Sequence, residues 1–113
     1  MRLTTLFLIA AFAASTVGAA SYQKTDGTIV DPILDRYGDP HSYSGADLEP
    51  DADLTNADLT RADLVRTTMT GAYLQYVSLN HADLTDANLR QANLHGADLT
   101  SVDLHGATLS WAT

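Results

Sequence analysis

From residue 54 onward an aliphatic side chain returns at every fifth position without a slip: Leu54, Leu59, Leu64, Met69, Leu74, Leu79, Leu84, Leu89, Leu94, Leu99, Leu104 and Leu109. Two residues before each of these twelve centres stands Ala in nine cases, and Thr67, Val77 or Val102 in the others. The residue between the two is Asp or Asn in most repeats. Leu48 is an earlier centre, displaced from the series by one extra residue, Asp51. Such a repeat has to be read before secondary structure is assigned, because Ala and Leu would otherwise suggest a helix on propensity alone.

Geometry rejects that helix. A five-residue step on an α-helix turns 500°, so successive leucines advance by about 140° and spread around every side. No apolar stripe results. A flat strand fails as well: five is odd, and each repeat would flip its leucine to the opposite face. What remains is a chain that turns about a quarter circle per repeat. The centre and the residue two earlier share the inner side, as strand alternation requires, and the other three point outward. Four repeats then close one square coil of twenty residues. Coils stack at about 4.8 Å, the spacing of hydrogen-bonded strands. The expected fold is therefore all-β, with about three coils, close to the minimum for a stacked repeat.

The run A-(D/N)-L-x-x over residues 46–113 resembles the pentapeptide-repeat family and covers about three quarters of the chain after residue 20. That resemblance implies a right-handed quadrilateral β-helix. Segment 26–45 is similar to the leaders that precede such repeats in exported bacterial proteins.

Residues 1–20 read differently. Arg2 precedes an apolar run from Leu6 to Ala14, and Val17 and Ala19 sit where a signal peptidase needs small residues. This is the layout of a secretory signal peptide cut after Ala19 or Ala20. The apolar run is about half the ~20 residues that a membrane span needs, so no stable membrane insertion is expected after cleavage. The domain plan is then a signal peptide over 1–20, a leader and cap over 21–45, and the repeat solenoid over 46–113. Within the cap, Ile29, Val30, Pro32, Ile33, Leu34, Tyr37, Pro40 and Tyr43 can cover the first coil. At the other end Trp111 precedes only Ala112 and Thr113. It is expected either to fold over the last coil or to meet a second copy in a homodimer.

Charge narrows the function classes. The chain of 113 residues carries six Lys and Arg against fourteen Asp and Glu, a formal charge of −8, and no cysteine. Removing residues 1–20 takes away Arg2 alone, five bases minus fourteen acids giving −9. Direct nucleic-acid binding lacks the basic patch it needs. Disulfides, thiolate metal sites and cysteine nucleophiles are excluded. No serine stands in a nucleophile elbow, no glycine-rich phosphate loop follows a strand, and a convex prism offers no cleft for paired carboxylates. The chain is read as a non-enzyme without a cofactor.

The outward columns are the candidate sites. Placing every fourth repeat on one face stacks Asp63, Asp83 and Asp103, with Arg66, Thr85, Asp86 and His105 beside them. This column either caps local backbone, binds a protein partner, or weakly attracts a cation. A second face gathers Tyr73, Tyr76, Gln75 and His95 near Asp53 and Asn93, a patch suited to a protein partner. Trp111 is the candidate for self-association. His41, His81, His95 and His105 do not converge and are read as surface or cap residues, and no metal site is assigned. The resulting expectation is an exported, periplasmic or extracellular scaffold that binds protein or itself. The alternative implied by the resemblance is an acidic DNA mimic that inhibits a DNA-binding protein such as gyrase. A three-coil rod is only about 15 Å long, against ~34 Å for one turn of B-DNA.

Overall fold

The computed structural model describes residues 20–30, 33–43 and 45–113. Residues 1–19 of the expected signal peptide (1–20) and Pro32 of the expected cap lie outside the described residues.

The solenoid is built from a corner that repeats every five residues. In each repeat the N–H of the residue two before the centre donates back to the carbonyl of the preceding centre, as in Ala57 to Leu54 (3.0 Å), Ala82 to Leu79 (2.8 Å) and Ala112 to Leu109 (2.9 Å). The second residue after each centre has a positive φ, between 55° and 63° at Asn56, Arg61, Arg66, Tyr76, His81, Asp86, Gln91, Ser101 and Trp111, and between 69° and 71° at Gly71, Gly96 and Gly106. An i to i+3 bond with one left-handed residue at the third position is a type II turn. Ordinary side chains hold that conformation at a cost of about 1 kcal/mol or more each, so every corner without a glycine stores strain that packing must offset.

Stacking supplies the offset. Parallel bridges join Asp53, Tyr73 and Asn93; Asp58, Ser78 and Asp98; Asp63, Asp83 and Asp103; and Thr68, Asn88 and Thr108. Every step spans twenty residues, four repeats, so each wall of the prism is one such ladder. The inward pair of each repeat fills the axis: Leu59, Leu64, Met69, Leu74, Leu79, Leu84 and Leu89 are 0% exposed, with Ala62, Ala72, Ala82, Ala87 and Ala92 beside them at 0–1%. Thr67, the polar residue expected on this inner side, is buried and donates its hydroxyl to the Leu64 carbonyl. That bond satisfies a group that would otherwise be costly to bury.

One N–H per repeat is left out of both corner and ladder, and the Asp or Asn position serves it. Asp53, Asp58, Asp63, Asp83, Asn88, Asn93, Asp98 and Asp103 each accept, through Oδ1, the backbone N–H two residues on, at 2.9–3.2 Å. This is an Asx turn, for which Asp and Asn serve equally. Thr55, Thr60 and Thr100 add their hydroxyls and hold the carboxyls of Asp53, Asp58 and Asp98 below the usual 3.8.

The leader closes the first coil. Strands β1 (Tyr22–Gln23) and β2 (Ile29–Val30) form an antiparallel hairpin, and β3 (Leu34–Asp35) pairs antiparallel with β4 (Ala62–Asp63) on the wall of the first coil. Thr68 and Thr25 N–H groups bond across the gap to the Gln23 and Arg66 carbonyls. Leu48, the displaced centre, is buried and bridges Tyr22 in parallel. Ile33 is buried as expected of the cap, but Tyr37 is 75% exposed and covers nothing. Tyr22 takes its place: it is 1% exposed, its hydroxyl donates to the Asp63 carbonyl (3.2 Å), and burial pushes its phenol well above the usual range. Ala20, the last residue of the expected signal peptide, is also buried and accepts the Ile33 N–H (3.0 Å).

The last coil is not sealed by Trp111, the first of the two coverings expected for it. Leu94, Leu99 and Leu104 are only half-buried and Leu109 is 38% exposed, because no described residue stacks on them. With Leu89, Ala112 and Thr113 they line an open cavity of about 400 Å³. Trp111 does not fold over it: its side chain sits at a left-handed corner, 80% exposed.

Two sets of outcomes follow from corners and caps. A Cβ on Gly106 (φ +70°) would run into the Asp86 carboxylate. Gly106→Ala is therefore expected to lose about 1–2 kcal/mol in chemical denaturation. Gln91→Gly, at an equivalent corner (φ 60°), should raise the thermal midpoint. At the caps, Asp83→Ala strands the Thr85 N–H and should lose about 1 kcal/mol, whereas Asp83→Asn should be near neutral. The lowered carboxyls of Asp53, Asp58 and Asp98 add stability that is present above the ordinary carboxylate range and lost as pH falls through it. The thermal midpoint should drop below about pH 4, and the triple Asp→Asn variant at these positions should flatten that drop.

Candidate functional site

The acidic column stands where the spacing places it. Asp63, Asp83 and Asp103 bridge one another in sequence along one wall. Each Oδ1 is engaged by backbone, from Val65 (3.2 Å), Thr85 (3.0 Å) and His105 (2.9 Å), and Asp83 Oδ1 also accepts the Thr85 hydroxyl (2.6 Å). One oxygen of each carboxylate is thus committed to the turn. Arg66 leans away to Asp26 of the leader (3.7 Å) rather than onto the column.

The aromatic face is also assembled. Tyr73 lies in the ladder between Asp53 and Asn93, 51% exposed, and Tyr76 is 57% exposed at the corner of the same repeat. The Tyr76 ring meets His95 of the following coil edge to face, centroids 5.8 Å apart at 82°. Its Cδ1 and Cε1 occupy the space over Gly96, where a Cβ would lie 2.5 Å and 2.6 Å away. Glycine at that corner is what admits the ring. Gln75, between the two tyrosines in sequence, has an Oε1 that is buried without a hydrogen-bond partner.

The histidines divide. His41 is a cap residue: its Nδ1 accepts the Tyr43 N–H (3.0 Å), so its proton sits on Nε2, which donates to the Thr60 carbonyl (2.8 Å). It ties leader to solenoid, a role that spacing alone did not reveal. Among the described residues no three His, Asp or Glu side chains gather as a cation site. Among the same residues no helix is long and apolar enough to cross a membrane.

The third candidate surface is the open end. Following the ladder register, the N–H groups of Leu99, Leu104 and Leu109, and of Ser101, Gly106 and Trp111 at the corners, would bond to a further coil, and none of them donates to backbone among the described residues. The end therefore combines a leucine-lined hollow with a free strand edge.

Comparison with known proteins agrees with this architecture. Residues 52–91 and 78–113 match the family described as Pentapeptide repeats (8 copies), together more than half the chain. A pentapeptide-repeat protein of the Arabidopsis thaliana thylakoid lumen is 34% identical over 55% of this chain and 43% of its own, with a TM-score of 0.54. Two cyanobacterial pentapeptide-repeat proteins, from Nostoc and Cyanothece, are 39% and 32% identical over 52% and 59% of this chain. They superpose poorly, with TM-scores of 0.28 and 0.30. The chain spans 43–55% of the length of these three proteins. No curated protein matches it. With its five-residue corners, its twenty-residue ladders and the family match over the same residues, the chain belongs to the pentapeptide-repeat family.

Proposed function

We propose that the protein is an exported, non-catalytic scaffold: a signal peptide over 1–20, a leader over 21–45, and a right-handed β-helix of about three coils whose acidic walls and open end bind protein. The observation that carries this reading is the division of labour in each repeat. Ahead of the last coil the inward side chains are committed to the core, and Oδ1 of each capping Asx residue to a corner, so recognition is left to the flat outer walls and to the end of the last coil.

Export is supported by the layout of residues 1–20 and by the lumenal source of the Arabidopsis neighbour. A periplasmic or extracellular site follows from that reading. Ala20 accepts the Ile33 N–H and packs inside the cap, which favours cleavage after Ala19 over cleavage after Ala20. N-terminal sequencing of the protein recovered from cell fractions should begin at Ala20. A full-length chain in the cytoplasm would overturn the export reading. For the acidic wall, an affinity capture from envelope or culture supernatant should recover a protein that is lost when Asp63, Asp83 and Asp103 are all changed to Asn. Identical recoveries would leave those residues as turn caps alone.

Self-association uses the open end. Turning a second copy about a two-fold axis across the prism runs its last coil antiparallel to the first. Each free N–H then faces a carbonyl of the other copy, and the two leucine hollows close on each other. The leader covers the opposite end, so such pairing stops at two copies instead of growing a filament. Sedimentation should show a dimer, weakened by Trp111→Ala and abolished by Leu109→Glu with the circular-dichroism spectrum unchanged. A monomer at every concentration would refute the pairing.

A further inference from the structure

Asp47 stands at the Asx position of the displaced repeat, just before Leu48, yet it does not cap its own turn. Its Oδ1 reaches across twenty-six residues of chain and accepts both the backbone N–H (2.9 Å) and the hydroxyl (3.2 Å) of Ser21. No group among the described residues bonds its Oδ2. Elsewhere in the solenoid Asn serves the Asx position as well as Asp does, as at Asn88 and Asn93. At residue 47 the carboxylate is spent on the leader instead.

Residues 20–22 are fixed against it from two sides. The Ala20 carbonyl accepts the Ile33 N–H, the Ser21 carbonyl accepts the Leu48 N–H (2.9 Å), and Tyr22 pairs with Val30 and bridges Leu48 in parallel. All three residues are 0–1% exposed. This short stretch thus lies against Leu48 as a preceding coil would. In the exported protein it is also the amino terminus. Cleavage after Ala19 turns the Ala20 nitrogen into an ammonium, one residue from the Ser21 N–H that Asp47 holds. Cleavage after Ala20 would place the ammonium on the Ser21 nitrogen itself, 2.9 Å from Asp47 Oδ1. A cation set among buried residues is costly unless it meets a counter-charge.

We infer that Asp47 receives the amino terminus that signal cleavage creates: its carboxylate pairs with the new α-ammonium while it holds the N–H and hydroxyl of Ser21, and so fastens the leader to the displaced repeat. The inference rests on the export reading of residues 1–20. The uncut chain has a peptide bond where this cation would stand, so the pair forms only on processing. Closure of the cap is thereby tied to removal of the signal peptide. Asp47→Asn separates the two roles, because an amide oxygen still accepts from Ser21 but carries no charge.

Thermal unfolding of the processed protein between pH 7 and 9.5 tests it. An α-ammonium facing a carboxylate holds its proton more tightly than it does in the unfolded chain. Its stabilisation is complete below the ordinary α-amino range, about pH 8, and is lost as pH rises through the raised folded-state range. The midpoint should fall by about 2–5 °C across this window. Asp47→Asn should start lower at pH 7 and lose most of that fall, and acetylation of the α-amine should do the same. Lys24→Arg, which removes the one other amine of the processed chain, should keep it. Burial raises the phenols of Tyr22 and Tyr43, which lie at this corner, away from the window. The charges that face Tyr22 are Asp63, Arg66 and Asp83, residue types that do not titrate there. An equal fall in Asp47→Asn, a fall that survives acetylation, or no fall in a processed chain would overturn the inference and leave export standing. An amino terminus at Ser21 keeps the pair and moves only the cut. A full-length chain in every fraction would overturn both readings.

Discussion

Everything in this molecule depends on a bond that closes each corner, from the inward residue of one repeat back to the centre of the repeat before it. With one residue of every five held in the left-handed region, the backbone turns by a quarter circle and the next centre points again to the axis. Twelve leucine-class centres in one phase would otherwise have no common direction. The parallel ladders, the buried alanines and the outward columns all follow from that turn. Most of the corners are occupied by residues other than glycine, among them Arg61, His81 and Gln91. Strain is thus distributed along the whole solenoid and offset collectively by stacking, not relieved residue by residue.

The second constraint is the amide that neither corner nor ladder uses. Asp and Asn are selected at one position of each repeat because their side-chain oxygen reaches that amide. Much of the acidity of the chain is therefore a by-product of capping, which is why Asn88 and Asn93 make the same bond as Asp83 and Asp103. The consecutive repeats at Thr68, Tyr73 and Ser78 lack an Asx cap. It is in this stretch that Tyr73 becomes free to face outward. Departure from the repeat and candidate recognition surface coincide there.

The phase of the leucines and alanines was enough to foresee which side chains fill the axis, and the twenty-residue return foretold the stacking of Asp63, Asp83 and Asp103. The left-handed corner could have been suspected, since Gly71, Gly96, Gly106 and Asn56 all stand two residues after a centre; the varied residues between them hid it. The leader was less legible because it has no period. Ranking its residues by apolar character put Tyr37 in the cap, whereas the turn after β3 leaves that residue in solvent and β1, bridged to Leu48, brings in Tyr22. His41 gave no local sign of its bridging role, which exists only across nineteen residues of chain. For Trp111 the sequence left two roles open, a lid on the last coil or a contact with a second copy; at its left-handed corner the side chain is 80% exposed and is not the lid.

The equivalence of the two Asx residues has a consequence for the ageing of the protein. Asn88 and Asn93 contribute to the turn only an oxygen, which survives when the amide hydrolyses to a carboxylate. Deamidation at these positions would add negative charge without removing a backbone bond. A long-lived population of this protein would then drift in isoelectric point while its architecture stayed the same.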